Sequence, residues 1–226
     1  MADHDTALFD LDGVLVDSRV AFARSINSAL ASQGLPPRPE HELHKYLGPP
    51  LHRTFQALVS RRSLVQPCVD AYRTRYLEMA ASETCVFPGI REILEVLADE
   101  LPLVVATSKP RALAEPLLDA LGLREFFVAV VGPELESENE QKAVTVGRAI
   151  RELPSQAHPL MVGDRKHDIA AAHEHDLRAI GVLWGIGSEE ELHTAGADAL
   201  VRTPTELATL LALPRSDGAA TTSTPA

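Results

Sequence analysis

The chain has 226 residues and a formal net charge of −11, with 45% hydrophobic and 23% charged residues. This balance is typical of a soluble globular protein with one sizeable core, or with a core and a small second domain. The acidic charge argues against a general nucleic-acid-binding surface, and no apolar run approaches the roughly 18 residues of a membrane span. An anionic substrate would therefore need a site that metal ions, lysines or backbone amides make locally positive.

The N-terminal segment and the cysteines indicate a cellular location. Residues 1–5 are acidic, unlike a secretory signal or a transit peptide. Cys68 and Cys85 form neither a disulfide framework nor a zinc-binding spacing. Free thiols of this kind are typical of a reducing compartment. We therefore expect a cytoplasmic enzyme.

Short apolar runs alternate with segments of helical periodicity. The apolar runs, which predict strands, are residues 6–10, 101–106, 126–131, 159–162 and 179–183. The amphipathic segments, which predict helices, include residues 90–97, 113–121 and 146–153. Wholly apolar strands alternating with helices indicate an α/β fold with a Rossmann-like parallel sheet and helices on both faces. Ligands of such sheets bind beyond the carboxyl ends of the strands.

Residues 16–87 interrupt this alternation. Asp17 or Ser18 is suited to cap a helix that ends near Gly34, and further helical stretches follow around 40–46, 51–60 and 66–81. We predict an inserted α-helical cap domain with a hinge at residues 87–89. The predicted division is a catalytic core of residues 1–15 and 88–213, a cap of residues 16–87, and a disordered tail of residues 214–226, which lacks large apolar residues.

The first chemical motif is Asp10-Leu11-Asp12-Gly13, directly after an apolar strand. Two carboxylates at this spacing can divide the work of phosphoryl transfer. Asp10 is suited to attack phosphorus as a nucleophile, and Asp12 to act as general acid and base. Gly13 permits a tight turn that brings backbone amides close to phosphoryl oxygens. The structural alternative is a turn in which Asp12 only caps the strand.

A second acidic pair follows another apolar strand. Asp164 and Asp168 supply the oxygen ligands that Mg²⁺ prefers. Asp164 would bind the metal together with Asp10, and Asp168 would orient a metal-bound water or a lysine. The structural alternative is a helix N-terminus carrying acids that suit its dipole.

Hydroxyl groups and lysines complete the set of candidate site residues. Thr107, Ser108 and Lys109 follow a strand, and Pro110 suits a first helical turn, so Ser108 is the expected N-cap of a phosphate-binding helix start. Lys142 would keep Asp10 ionised and neutralise a phosphate. The alternatives are ordinary helix capping and a solvated surface lysine.

These elements, in this order and at strand ends, resemble the haloacid dehalogenase-like hydrolase superfamily, and most closely its phosphoglycolate phosphatase-like branch with a helical cap. The resemblance covers about residues 6–213. It implies a Mg²⁺ cofactor, with the backbone carbonyl of Asp12 among the metal ligands. The implied roles are nucleophile for Asp10, acid and base for Asp12, phosphate binding for Thr107, the family lysine for Lys142, and metal-site acids for Asp164 and Asp168.

Two further stretches are similar to parts of this branch. The loop at residues 48–50 resembles one that the family lays over the substrate, so Gly48 and His52 are candidate substrate-binding residues, with a solvated surface as the alternative. The glycine loop at residues 184–187 precedes a predicted capping box of Ser188 and Glu191, and a purely structural turn is its alternative. One departure is the acidic segment before Lys142, with glutamates at 134, 136, 138 and 140.

Asp12 favours phosphate chemistry, because the dehalogenases of the superfamily lack a second aspartate in the first motif. We therefore predict a Mg²⁺-dependent phosphatase that hydrolyses a small phosphate monoester through an aspartyl-phosphate. Phosphoglycolate, a nucleotide monophosphate and an aryl phosphate are candidate substrates. The expected partner is thus a small molecule, with no nucleic acid and no membrane. Two alternatives stay open: a sugar phosphomutase, and a protein-binding or phosphotyrosine-related regulatory protein on the same fold.

Overall fold

The structure is a computed structural model that describes residues 4–135, 137 and 140–212. The predicted disordered tail, residues 214–226, lies outside the described residues, as do Glu136 and Glu138.

A parallel six-stranded sheet forms the centre of the fold. Its strands are β1 (Thr6–Phe9), β4 (Leu103–Ala106), β5 (Ala129–Val131), β6 (Pro159–Gly163), β7 (Arg178–Val182) and β8 (Ala199–Val201). The two remaining strands, β2 (Val16–Asp17) and β3 (Cys85–Val86), form a separate pair. The sheet order is β5-β4-β1-β6-β7-β8, and every pair is parallel. β1 is central because the chain first extends the sheet to one side of it and then to the other.

Helices cover both faces of the sheet. They are α1 (Arg19–Ser32), α2 (Glu40–Leu43), α3 (Leu51–Leu58), α4 (Val65–Glu83), α5 (Ile90–Glu100), α6 (Arg111–Ala120), α7 (Lys142–Arg151), α8 (Lys166–His173), α9 (Glu189–Thr194) and α10 (Pro204–Ala212). In β1, Ala7 and Phe9 pack in the same cluster as α5, α6 and α10, whereas Leu8 packs with α7, α8 and α9. Burial on both faces explains the wholly apolar strands. The predicted α/β fold is confirmed.

Two local predictions are wrong, and three short strands were not predicted. Residues 126–128 are not a strand, since a 3₁₀ helix covers Arg124–Phe126 and β5 begins at Ala129. Ser108 is not an N-cap, because Pro110 adopts an extended conformation (φ −50°, ψ 134°) and α6 begins only at Arg111. β2, β3 and β8 were not predicted, because two or three residues are too few to show a periodic pattern.

The helices α1 to α4 lie outside the sheet, between β2 and β3. These two strands pair antiparallel, so the chain leaves the core and returns to it side by side. α1 packs along α4, and Phe22 meets Tyr72 edge to face at 5.9 Å between ring centroids. The division into core and cap stays a prediction. β2 lies at the first predicted boundary and β3 at the second. No helix in the described ranges is long and apolar enough to cross a bilayer.

The half-buried Glu83 holds the end of α4 to its surroundings. The Glu83 carboxylate accepts hydrogen bonds from Arg75 Nη1 and Nη2, both at 2.9 Å, and from Arg24 Nη1 at 3.2 Å. The hydrogen bonds from Arg75 lower the pKa of Glu83, although burial acts in the opposite direction. The acid is therefore bound more strongly in its ionised form.

We expect Glu83→Gln to destabilise the fold by about 1–2 kcal/mol at pH 7, the typical contribution of charge-assisted hydrogen bonds. Because the folded-state pKa is lowered, this contribution is present above the unfolded-state pKa and is lost as the pH falls through the folded-state pKa. Urea unfolding at pH 7 and near pH 3 measures the difference. The exposed Glu78 on the same helix provides the control Glu78→Gln, and an equal loss at both pH values would contradict the assignment.

Candidate active site

The candidate catalytic residues follow three adjacent strands of the sheet. Asp10 follows β1, and its backbone N–H donates to Val162 O of β6 at 2.9 Å. Thr107 follows β4 and Asp164 follows β6, on either side of β1. β1 is where the order of the sheet reverses, which is the usual ligand position in open parallel sheets. The fold thus brings the predicted motifs to one edge.

Lys142 links two of the predicted acids. Its Nζ lies 2.7 Å from Asp10 Oδ1 and 2.7 Å from Asp168 Oδ1, and all three residues are buried. Burial lowers the pKa of Lys142, but the charges of Asp10 and Asp168 outweigh it and the net shift is upward. Burial raises the pKa of Asp10 to about 6 against the opposing effect of Lys142. Lys142 is therefore not a solvated surface lysine.

Asp164 is wholly buried at the same edge. Its Oδ2 accepts a hydrogen bond from Ile186 N at 2.7 Å. Its Oδ1 has no hydrogen-bond partner within the part of the chain that the structure describes. Burial, and then the nearby charges of Asp168 and Asp10, raise the pKa of Asp164 well above its usual value. A buried carboxylate in this position requires a cation or a proton.

The acids Asp10, Asp164 and Asp168 form a cluster that fits a divalent cation. Each offers one oxygen, and these oxygens lie within 4.8 Å of one another. With all three ionised, one ammonium leaves two negative charges in excess, which a divalent cation would balance. The unpaired Oδ1 of Asp164 and the all-oxygen donor set suit Mg²⁺.

Glycines allow the chain to pack closely around Asp164. Gly13 has φ +91°, and a Cβ there would lie 2.1 Å from Asp164 Oδ2. A Cβ on Gly185 would lie 2.4 Å from the same oxygen. Trp184 Nε1 donates to Val14 O at 3.0 Å and fixes the second loop against the first. The glycine loop at residues 184–187 therefore contacts the acidic cluster rather than forming a remote turn.

Asp12 has a different environment from Asp10. Its carboxylate lies 2.7 Å from Lys109 Nζ through Oδ2, and its Oδ1 accepts from Ser18 Oγ at 2.5 Å. Lys109 Nζ also donates to the Tyr76 hydroxyl at 2.8 Å. Burial lowers the pKa of Lys109, but the charges of and hydrogen bonds to Asp12 and Tyr76 together outweigh it and the net shift is upward. Sequence analysis named Ser18 only as a candidate helix cap and did not name Tyr76, because neither forms a recognisable motif with Asp12.

A cavity of about 320 Å³ lies between the carboxyl edge of the sheet and residues 16–87, the predicted cap. From the core, Asp10, Asp12, Thr107, Ser108 and Lys109 line it; from the cap, Gly48, Pro49, Pro50, Leu51 and His52 do so. Gly13 is not among its lining residues, and Lys142 lines a neighbouring cavity of about 510 Å³.

A backbone hydrogen bond orients the Thr107 hydroxyl in the cavity. Thr107 Oγ1 accepts from Lys109 N at 3.1 Å, which leaves the hydroxyl proton to donate to a ligand. Arg165 Nη1 donates to Leu47 O at 2.8 Å and so links the core to the cap near Gly48. Thr107, after β4, and Gly48, before α3, line the same cavity.

The acidic segment before Lys142 is partly neutralised. Glu140 accepts hydrogen bonds from Thr145 Oγ1 at 2.9 Å and from Arg148 Nη2. Glu134 is exposed. The Glu140 charge thus stabilises the first turns of α7 instead of weakening the positive field of Lys142.

The predicted capping box of α9 is only half formed. Ser188 Oγ accepts from Glu191 N at 3.1 Å, as predicted. The Glu191 carboxylate instead accepts from Arg165 Nε at 2.9 Å and from Lys166 N at 3.0 Å. α9 is thereby joined to the loop that carries Asp164, because the charged guanidinium is a stronger partner than the Ser188 amide.

The model of the family described as haloacid dehalogenase-like hydrolase matches residues 7–182. The chain belongs to this family. It is 36% identical over 188 residues to a 5'-nucleotidase of Pseudomonas aeruginosa, covering 82% of this chain and 85% of the relative. It is 35% identical over 216 residues to a phosphoglycolate phosphatase of Chromobacterium violaceum, covering 90% of this chain and 94% of the relative.

Solved structures of the same family share the fold. A predicted phosphatase from Clostridium acetobutylicum superposes with a TM-score of 0.84 at 32% identity, over 91% of this chain and 97% of that one. These matches confirm the predicted haloacid dehalogenase-like relationship and the enzyme class, a phosphoric monoester hydrolase.

We expect Gly13→Ala to lower kcat/KM for phosphate ester hydrolysis by about a hundredfold, since a displacement of about 1 Å at a catalytic group has this effect. The new Cβ must displace the Asp164 carboxylate. Gly34→Ala is the control, because Gly34 has a similar φ of +67° but nothing within 4 Å of an added Cβ. Both variants carry the backbone strain, so equal activity in the two would contradict the role of the close approach.

Proposed function

We propose that the chain is a Mg²⁺-dependent phosphatase that hydrolyses small phosphate monoesters through an aspartyl-phosphate on Asp10. The main support is the contrast between two carboxylates on one cavity. Asp10 pairs with the buried Lys142, whereas Asp12 is held by Lys109 and Ser18. Two carboxylates in unlike environments are suited to different roles, a nucleophile and a proton carrier.

The reaction follows from these environments. A carboxylate oxygen of Asp10 attacks phosphorus, and the bond from phosphorus to the leaving oxygen breaks. Asp12, in its protonated form, gives its proton to that oxygen. Water then attacks the aspartyl-phosphate while Asp12 accepts its proton, and Asp10 and inorganic phosphate are released. Thr107 donates its hydroxyl proton to a phosphoryl oxygen, and Lys142 neutralises the charge of the phosphoryl group.

The metal site would be formed by the acidic cluster. The carboxylates of Asp10 and Asp164 and the backbone carbonyl of Asp12 would hold Mg²⁺, and Asp168 would position Lys142. When bound, the ion offsets the repulsion between carboxylates and phosphate and stabilises the in-line transition state. The excess of negative charge in the cluster and the unpaired oxygen of Asp164 support this assignment.

The relatives indicate the kind of substrate. A 5'-nucleotidase and a phosphoglycolate phosphatase both match most of the chain, and we extend to this protein the hydrolysis of a small phosphate monoester. The cavity between core and cap has the size of a small-molecule site. We also retain the expectation of a cytoplasmic enzyme.

Asp10→Asn should lower phosphate release from 4-nitrophenyl phosphate with Mg²⁺ by roughly a thousandfold or more, because the amide cannot act as the nucleophile. Acid-quenched wild-type enzyme should also carry phosphate on Asp10. Asp119→Asn, which removes an exposed carboxylate of α6, is the control and should retain activity.

Unchanged turnover in Asp10→Asn would contradict the mechanism. Isomerisation that requires a bisphosphate, with little net release of phosphate, would instead favour the phosphomutase. Failure of the wild type to turn over a broad panel of phosphate esters would favour the regulatory protein.

Mg²⁺ should raise the Tm of the wild type, and Asp164→Asn should abolish this shift. At a concentration of about 100 Kd, binding stabilises the fold by roughly 2.7 kcal/mol, which corresponds to about 5–10 °C for a domain of this size. Without the ion the variant should be no less stable than the wild type, because it removes one of the mutually repelling buried charges. A Mg²⁺-dependent shift in Asp164→Asn equal to that of the wild type would exclude this site.

A further inference from the structure

A guanidinium in the cap faces the same cavity as the proposed nucleophile. Arg73 of α4 lines the cavity with Asp10. Its Nη2 donates to Leu135 O at 2.5 Å. Its Nε is shielded from solvent and has no hydrogen-bond partner among the residues that the structure describes. A guanidinium has about five N–H donors, and Leu135 O accepts from one nitrogen only. Most of the hydrogen-bonding capacity of Arg73 is therefore unused.

Among the described residues, the charge of Arg73 is also uncompensated. Each carboxylate that is described as lining the cavity pairs with a different cation: Asp10 with Lys142, Asp12 with Lys109, and Glu140 with Arg148. In the described ranges no carboxylate lies within ion-pair distance of Arg73. A half-buried cation in this position provides a strong site for an anionic group of a ligand, because little water competes for it.

The wall near Arg73 is apolar. Phe22, Val69 and Tyr72 line the same cavity. The Tyr72 ring is fixed by stacking on Tyr76 at 5.4 Å between ring centroids. An apolar or aromatic part of a ligand would lose its contact with water here and pack against rigid rings. The cavity thus offers a phosphoryl site in the core, an apolar wall, and a cation in the cap.

We propose that the preferred substrate is a phosphate monoester whose leaving group joins an apolar segment, such as an aromatic ring, to a second anionic group that Arg73 binds. The second anion is a carboxylate or a phosphate, since a guanidinium binds both through paired hydrogen bonds. This inference rests on the proposed phosphatase function and defines its substrate class. Arg73 is then a specificity-determining residue rather than part of the reaction.

The test compares three aryl esters: 4-carboxyphenyl phosphate, its neutral methyl ester, and 1,4-phenylene bisphosphate. In Arg73→Gln, the ratio of kcat/KM for an anionic ester to that for the methyl ester should fall about ten- to hundredfold, the effect of a lost charge-assisted hydrogen bond. Comparing ratios between enzymes cancels the intrinsic reactivity of each leaving group. A fall with the carboxylate or with the bisphosphate identifies the second anion, and a fall with neither overturns the proposal.

Arg75→Gln is the matched control. It removes the same charge from the same helix, but Arg75 pairs with Glu83 and does not line the cavity. This variant should keep the wild-type ratios. An equal fall in Arg75→Gln would mean that the effect comes from overall charge or from α4 stability, and would overturn the role of Arg73.

A binding measurement on the wild type keeps the proposal falsifiable if Arg73→Gln fails to fold. 4-Hydroxybenzoate should inhibit at least about tenfold more strongly than methyl 4-hydroxybenzoate, because only the first has a carboxylate for Arg73 to bind. Equal inhibition by the two compounds would overturn the proposal. Absence of methyl ester turnover in the wild type would instead contradict the phosphatase function, and the inhibitor could then be followed by thermal shift.

Discussion

Buried negative charge at the carboxyl edge of the sheet is the constraint on which the rest of the structure depends. Asp10 and Asp168 each lie 2.7 Å from the ammonium of Lys142. A buried ion without a partner costs several kcal/mol, so these three side chains must stay together. They come from the end of β1, the start of α8 and the start of α7. Their pairing therefore fixes two helix starts against the central strand. Asp164 lies beside them, and its Oδ1 has no hydrogen-bond partner among the described residues.

The second carboxylate of the first motif connects this edge to the cap. Asp12 is held by Ser18 at the start of α1 and by Lys109, whose ammonium also contacts the Tyr76 hydroxyl on α4. The two acids of the motif thus depend on different parts of the protein. Asp10 pairs with Lys142 at the start of α7, whereas Asp12 contacts the start of α1 and shares Lys109 with Tyr76 of α4.

The sequence predicted the sheet because strands buried on both faces must be apolar throughout, as in residues 7–9. It predicted the acids because they directly follow such strands. It did not predict the contacts that hold Asp12, since Lys109 is 97 residues away along the chain and leaves no local pattern. The expected Ser108 cap was wrong for a local reason: the extended Pro110 delays the helix to Arg111.

Arg73 and Arg75 show how one helix serves both stability and recognition. Two residues along an α-helix are separated by about 200° around its axis, so the two guanidinium groups leave α4 on different sides. Arg75 meets the Glu83 carboxylate and holds the end of the helix. Arg73 meets one backbone carbonyl and the cavity. In a protein with a net charge of −11, acids to neutralise an arginine are abundant. A cation that faces the cavity with no described carboxylate beside it is therefore best explained by an anion that arrives with the substrate.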